Sequence, residues 1–273
     1  MSSFRHIAIR EMKLGFRNPW SYSFMALFTL FMLGLLLIQA QGYGQGYSGT
    51  TGTILNLSLY LLPLMALLLG SFSLTTEKEE GSWELLSVYP IATFAFISGK
   101  FAGLAVVMLV IVAVGLGLAG LIGGAAGSSF SLETYGQLLV FTVSTSLLYL
   151  AIAMLAGTLA RNRWQALTMG VAVWFFTIIA WAPLLLSMLG FLPYGFIKPA
   201  LLTLTLLNPA ELARLYTVVK LGGGAVLGPE YYEWMTWVKQ PSGTAGFVGL
   251  VLAWIGLALA ISWLVWERRR SRG

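Results

Sequence analysis

The sequence predicts an all-α integral membrane protein with six transmembrane helices. Of its 273 residues, 58% are hydrophobic and only 10% are charged, whereas soluble domains carry about 25% charged residues. Six windows of roughly 20 residues contain no Lys, Arg, Asp or Glu, and this is the length that a helix needs to cross a bilayer. Because one charge at the centre of such a helix costs about 2.5–3.5 kcal/mol, six uncharged windows indicate six spans. We place them in a single transmembrane domain covering 1–273, at about 20–38, 54–74, 101–122, 136–160, 166–189 and 247–266.

The positive charges predict the orientation of these spans. Twelve of the 16 Lys and Arg residues lie before the first span, after the last span, or in the second and fourth connections, and the first and third connections have none. Positively charged connections stay on the cytoplasmic side, so we expect a multi-pass protein of the cell (cytoplasmic) membrane with both termini cytosolic. Clustering of charge beside apolar windows indicates membrane topology, with membrane lipid as a partner and no nucleic acid.

The segment 2–19 predicts an amphipathic helix lying on the inner leaflet. Apolar residues are interspersed with Arg5, Arg10 and Lys13, and Asn18-Pro19 ends the pattern, as in interfacial helices. Two alternatives remain open: a disordered basic tail, and a signal peptide cleaved near Ala40.

Small residues in the third and fourth spans predict close helix packing. Gly99 pairs with Gly103, and Gly120 pairs with Gly124, each at a spacing of four. The fourth span also carries a polar group of small side chains at 142–146. Such residues allow two helix backbones to approach closely.

The connection 75–100 is a polar segment between two long apolar runs and holds four of the ten acidic residues. Gly81 breaks the preceding helix, Ser82 can cap a short helix over 83–89, and Pro90 ends that helix. Because two helical turns are unstable alone, the short helix must pack either on its own spans or in the groove of a cytosolic partner.

The segment 190–246 is the longest outside the predicted spans, and the charge pattern puts it on the extracytoplasmic side. A seventh span there would bury Lys198 and place the Arg-rich tail outside, so we reject it. We expect short interfacial helices, one of which begins with Asn208 as cap and Pro209 in the first position and carries Glu211 and Arg214 on one face.

Residues for catalysis are missing from the sequence. It contains no G-x-x-x-x-G-K-[ST] loop, no H-E-x-x-H motif, no cysteine and one histidine, and its methionines are scattered singly. We therefore predict no catalytic residue, no metal site and no cofactor in this chain, which is not expected to be an enzyme. The spans also lack the ionisable residues typical of ion-coupled carriers, so the energy source is expected to be an ATPase subunit.

Three features together resemble type-2 ABC transporter permeases: six spans, a basic N-terminal helix, and the loop E-K-E-E-G-S-W-E-L-L-S-V-Y-P at 77–90. The resemblance implies that the short helix is the coupling helix, which inserts into a cytosolic ABC ATPase subunit that binds ATP and Mg. It implies an ATPase contact at or beside Glu77, Glu79, Glu80, Gly81, Trp83, Glu84, Leu85, Leu86, Tyr89, Pro90 and Lys100.

Two stretches, at 62–90 and at 207–215 (LNPAELARL), are similar to the NosY family of permeases, which serves nitrous oxide reductase maturation. This resemblance implies a homodimer, an extracytoplasmic solenoid partner and a link to copper-sulfur centre assembly. The partner contact would involve Leu207, Asn208, Pro209, Glu211 and Arg214. Two alternatives remain open: a generic exporter permease for lipid, drug or peptide, and a non-transporting membrane anchor or sensor.

Overall fold

The computed structural model describes residues 2–39, 49–81, 92–125 and 131–270, and within these ranges it is helical without strands. Eleven α-helices follow one another in the described part of the chain: α1 (Ser2–Arg17), α2 (Pro19–Gln39), α3 (Gly49–Glu79), α4 (Thr93–Ala125), α5 (Leu132–Leu159), α6 (Arg163–Trp174), α7 (Trp181–Gly190), α8 (Tyr194–Leu207), α9 (Pro209–Lys220), α10 (Tyr232–Lys239) and α11 (Pro241–Arg270). A π-helix (Phe175–Ile179) joins α6 to α7, and two short 3₁₀ turns (Gly223–Val226 and Pro229–Tyr231) lie between α9 and α10.

Four of the described helices, α3, α4, α5 and α11, are each long and apolar enough to cross a membrane. The segment from α6 to α7 is a fifth candidate, although it bends by 54° at a break. The remaining predicted span falls in α2, whose described apolar part is shorter. The all-helical membrane architecture is confirmed, and the count of six spans stays a prediction.

Helices α3 and α5 form the centre of the bundle. Their apolar windows are 61% and 67% buried, compared with 17% for α11 at the periphery. Glycines permit the close approach of the two central helices: a methyl group on Gly70 would lie 2.6 Å from the Cβ of Ala153, and one on Gly157 would lie 2.9 Å from the Cα of Ser71. The tight contact therefore depends on glycines other than the predicted pairs.

Helix α1 packs along α4 by means of the first predicted glycine pair. A methyl group on Gly99 would lie 3.0 Å from the side chain of Ile7, and one on Gly103 would lie 2.5 Å from the carbonyl oxygen of Ala8. The segment is thus a docked helix and not a disordered tail. In the second predicted pair, Gly120 faces a tyrosine ring, whereas Gly124 has open space around it.

A polar network lies at the break between α6 and α7. Thr177 stands in the π-helix, near the middle of the segment from Arg163 to Gly190. Its hydroxyl accepts a hydrogen bond of 2.7 Å from the buried Tyr149 of α5. Its carbonyl oxygen accepts another, also 2.7 Å long, from the side-chain nitrogen of Asn208. The midpoint of this segment is therefore tied both to α5 and to the α8–α9 corner.

Helices α8 and α9 form a hairpin whose tip is Asn208. The side-chain oxygen of Asn208 accepts a hydrogen bond of 2.9 Å from the Ala210 amide, and Pro209 takes the first helical position, so the predicted cap is confirmed. The tip of the hairpin contacts Thr177 in the α6–α7 segment, and the interfacial position of these helices stays a prediction. A buried amide needs partners for both its oxygen and its nitrogen, and this position supplies both.

Candidate functional site

The predicted ATPase-contacting residues that the structure describes lie mostly at the C-terminal end of α3. The helix continues through Glu77 and ends at Glu79, and a turn follows in which Gly81 has a φ of +69°, the left-handed conformation that suits glycine. The other predicted contacts, namely Trp83, Glu84, Leu85, Leu86, Tyr89 and Pro90, lie outside the described residues. Their roles stay predictions, and the segment that carries them begins directly after Gly81.

A buried ion-pair network connects this end of α3 to α1 and α4. The ammonium group of Lys100 lies 2.5 Å from Oε1 of Glu11 and 3.1 Å from Oε1 of Glu77. The exposed fractions of Lys100, Glu11 and Glu77 are 0%, 2% and 5%. One lysine of α4 therefore neutralises carboxylates from two other helices, out of contact with solvent.

Two polar side chains complete the network. The guanidinium group of Arg10 lies 2.6 Å from Oε1 of Glu77, and the hydroxyl of Ser73 donates a hydrogen bond of 2.8 Å to Oε2 of Glu11. Partial burial alone would lower the pKa of Arg10, but the hydrogen bond and the carboxylate charges outweigh it and raise that pKa. Arg10 therefore stays charged. For a buried pair such as Lys100–Glu11, removal of one partner costs about 3–5 kcal/mol, because the other charge is left uncompensated.

Glu77 and Lys100 were expected at or beside the ATPase contact. In the structure they face the interior of their own chain, and their charges join three helices. Neither is part of the exposed surface at the end of α3, where Glu79 and Glu80 lie. The ATPase contact itself stays a prediction.

Lys78 fastens the end of α3 to the end of α5. Its ammonium group donates hydrogen bonds of 2.8, 2.8 and 2.7 Å to the carbonyl oxygens of Gly157, Thr158 and Ala160. The last carbonyls of a helix have no partner within the helix, and a cation there also complements the helix dipole. The same ammonium group lies 5.3 Å from the ring centre of Trp266 in α11, so three helices meet at Lys78.

Glu79 makes the corresponding contact with the turn between α5 and α6. Its Oε1 accepts a hydrogen bond of 2.7 Å from the backbone amide of Arg163, and its Oε2 lies 3.0 Å from Nε of the same arginine. The side-chain oxygen of Asn162 caps α6 at the Gln165 amide. Displacement of the α3 end would therefore also displace the α5–α6 turn.

The residues predicted to contact an extracytoplasmic partner are divided by the structure. Asn208 and Pro209 are buried at the tip of the α8–α9 hairpin, whereas Leu207 is exposed. Glu211 and Arg214 pair with each other at 2.7 Å on one face of α9, as their spacing predicted. Asn208 thus faces its own chain, and the partner contact stays a prediction.

No part in this network was predicted from the sequence for Glu11, Arg10 or Ser73. The sequence does contain a signal for Glu11. It is the only acidic residue of the basic segment that forms α1, and it lies four positions from both Ile7 and Gly15. That spacing puts Glu11 on the helix face that docks on α4. An acid on a docking face requires a buried cation, and Lys100 is that cation.

Comparison with known proteins adds family information to this geometry. The profile of a family described as ABC-2 family transporter protein matches residues 5–270. A protein of Stutzerimonas stutzeri, named probable ABC transporter permease protein NosY, is 28% identical over 281 residues, which cover 98% of this chain and 99% of the relative. A protein of the same name from Pseudomonas aeruginosa is 28% identical over 277 residues, which cover 96% and 97% of the two chains.

Proposed function

This chain belongs to the ABC-2 transporter family, as the permease of an ABC transporter, and we propose that it converts ATP binding and hydrolysis in a separate cytosolic ATPase into movement of its own membrane helices. The observation that carries this proposal is the junction at the end of α3. Glu77, Lys78 and Glu79 connect that end to five other helices through ion pairs, hydrogen bonds and a cation–π contact.

The junction supports a mechanical role for the segment after Gly81. A force applied to that segment reaches α3 first, and α3 cannot shift there without moving its bonded neighbours. Charged hydrogen bonds of this kind contribute about 1.5–3 kcal/mol each, so the connected helix ends would move together. The proposed ATPase contact comprises the exposed Glu79, Glu80 and Gly81 and the predicted helix over 83–89.

The composition of the complex follows from this role. The chain contains no P-loop sequence, so ATP and Mg would be bound by the ATPase subunits, and this chain would not catalyse hydrolysis. Two copies of the chain would pair with two ATPase subunits. The complex would sit in the cytoplasmic membrane with both termini of this chain cytosolic, as the distribution of Lys and Arg favours.

We further propose that the transporter serves maturation of the copper-sulfur centre of nitrous oxide reductase. This is supported by two relatives that bear the name NosY and align over nearly their whole length. It is also supported by the sequence resemblance at 62–90 and 207–215. An extracytoplasmic solenoid protein would be the outer partner, with the exposed Leu207 and the Glu211–Arg214 pair as candidate contacts.

The coupling proposal is tested by charge reversal at the α3 junction. We expect Glu79→Lys and Trp83→Ala to reduce both ATPase co-purification and coupled ATP turnover by at least fivefold. The double variant Glu79→Arg/Arg163→Glu should recover part of the loss, because the ion pair is restored in reverse. Glu267→Lys in α11 is the matched control and should leave both readouts unchanged. Normal association and turnover in Glu79→Lys and Trp83→Ala would contradict the coupling role.

The maturation proposal is tested separately by identifying the proteins that co-purify with the tagged chain in detergent. A P-loop ATPase together with a secreted repeat protein would support it. An ATPase without the repeat protein would favour a generic exporter, and the absence of any ATPase would contradict both.

A further inference from the structure

We propose that the cleft between α1 and α3 binds the headgroup of a membrane phospholipid that carries a primary amine. The proposal concerns lipid binding by this chain alone and goes beyond the proposed ATPase coupling. It rests on the shape of the cleft, its position beside the first membrane helix, and the two signs of charge on its walls.

The cleft has a volume of about 440 Å³, within the roughly 300–1,000 Å³ typical of small-molecule sites. Its residues divide by chemistry into an apolar part and a polar part. The apolar part includes Leu14, Leu69 and Phe72, and the polar part includes Arg10, Arg17 and Glu80. An amphiphile matches this division, because one end is apolar and the other is charged.

The cleft lies where the N-terminal helix meets the first membrane helix. Arg17 and Asn18 line it at the junction of α1 with α2. Trp20 and Tyr22, just beyond the junction, are more than half exposed, and these residue types are enriched at the level of lipid headgroups. A phospholipid in the surrounding leaflet would therefore have its headgroup at the height of the cleft.

One side of the cleft offers cations to a phosphate group. Arg17 forms no ion pair with any residue in the described ranges 2–39, 49–81, 92–125 and 131–270. Arg10 contacts Glu77, but its side chain is half exposed. A guanidinium group can hold a phosphate through two parallel hydrogen bonds. These two arginines lie seven residues apart on α1, about two helical turns, and so on one helix face.

The opposite side of the cleft has acceptor oxygens to spare. Oε2 of Glu77 is buried and accepts no hydrogen bond from any described residue, although Oε1 of the same carboxylate is fully engaged. The side chain of Glu80 is 61% exposed, and its nearest recorded cation is Arg163 at 3.9 Å. The exposed Glu80 carboxylate therefore has acceptor oxygens for a donor that enters the cleft.

These two sides define the ligand by its charges. A phosphoethanolamine headgroup carries a phosphate for Arg17 and Arg10 and an ammonium group with three N–H donors for Glu80. A choline headgroup carries the same charges but has no N–H donor. A glycerol headgroup has no positive charge, and its phosphate would meet two carboxylates. The cleft should therefore select phosphatidylethanolamine over both.

The test is native mass spectrometry of the delipidated full chain in detergent, titrated with phosphatidylethanolamine, phosphatidylcholine and phosphatidylglycerol of identical acyl chains. We expect half-saturation with the ethanolamine lipid at a concentration at least fivefold below that of the other two. Equal or tighter binding of either competitor, or no binding of any lipid, would overturn the proposal.

Variants locate the binding in the cleft. Arg17→Gln and Glu80→Gln should each weaken ethanolamine-lipid binding at least fivefold, and Glu80→Gln should reduce the preference over phosphatidylcholine. Both side chains lie outside the buried Lys100 network, so the variants should fold. Arg5→Gln is the control, because Arg5 is on α1 but does not line the cleft. Unchanged lipid binding in both cleft variants, or an equal loss in Arg5→Gln, would contradict the assignment.

Discussion

Lys100 of α4 and Glu11 of α1 form a buried ion pair across 2.5 Å, although 89 residues separate them in the sequence. The pair holds a helix that could otherwise rest on the membrane surface against the side of the bundle. Because Glu77 shares the same ammonium group, the position of α1 is fixed relative to the end of α3, where the proposed coupling segment begins.

The first prediction concerns the energetic balance of this pair. Glu11→Ala should lower the free energy of unfolding by about 3–5 kcal/mol, because it leaves Lys100 buried beside one remaining carboxylate. Lys100→Met combined with Glu11→Ala should cost less than the sum of the two single variants, because neither charge is then stranded. Unfolding of the purified chain in mixed micelles measures both values. Additive losses would show that the two residues act independently.

The second prediction concerns the packing of α1 on α4. Gly103→Ala should lower the thermal midpoint clearly, since the added methyl group would lie 2.5 Å from the Ala8 carbonyl oxygen and 2.7 Å from the Cβ of Glu11. Gly117→Ala in the same helix is the matched control, because nothing lies within 4 Å of its added methyl group. The control should be neutral or stabilising by up to about 1 kcal/mol, the helix preference of alanine over glycine. Equal midpoints for the two variants would contradict the close α1–α4 contact.

The third prediction separates the two hydrogen bonds of Asn208. Asn208→Ser keeps an oxygen that can cap α9 but cannot reach Thr177, and it should cost about 0.5–1.5 kcal/mol for the lost hydrogen bond to the Thr177 carbonyl oxygen. Asn208→Ala loses the cap as well and should cost about 1 kcal/mol more. Tyr149→Phe tests the neighbouring hydrogen bond to Thr177. Thermal unfolding checks that Asn208→Ala is less stable than Asn208→Ser. A fully stable Asn208→Ala would show that these hydrogen bonds do not hold the tip of the hairpin in place.

The fourth prediction concerns Lys78 as the cap of α5. Lys78→Met retains most of the aliphatic length but loses three charged hydrogen bonds, and it should destabilise the chain by about 2 kcal/mol or more. Lys78→Arg keeps the charge and should recover part of the loss. Hydrogen exchange of the amides in 156–165 provides a local readout, which should rise in the methionine variant and change little in the arginine variant. Unaltered exchange in Lys78→Met would contradict the capping role.

The sequence was sufficient for the membrane architecture, because the cost of a buried charge marks apolar windows such as 101–122 without any knowledge of their neighbours. It also predicted the cap at Asn208 and the pair Glu211–Arg214, since both depend on residues within one turn of each other. Local chemistry of this kind can be read directly from the chain.

Contacts between distant residues could not be predicted in the same way. Glu11 appeared as one acid in a basic helix, and only the folded bundle brings Lys100 to it. The packing of the α8–α9 corner could not be predicted either, because the hydrogen bond from Asn208 to Thr177 joins residues that are 31 positions apart in the sequence.

The separation of Glu11 from Lys100 in the sequence also determines when α1 can dock during biosynthesis. On the growing polypeptide, Glu11 and Arg10 leave the ribosome long before Glu77, and Lys100 follows later still. The buried pair between Glu11 and Lys100 therefore cannot form until α3 and the start of α4 have been synthesised. Docking of α1 is a late assembly step, and it requires that α1, α3 and α4 have come together.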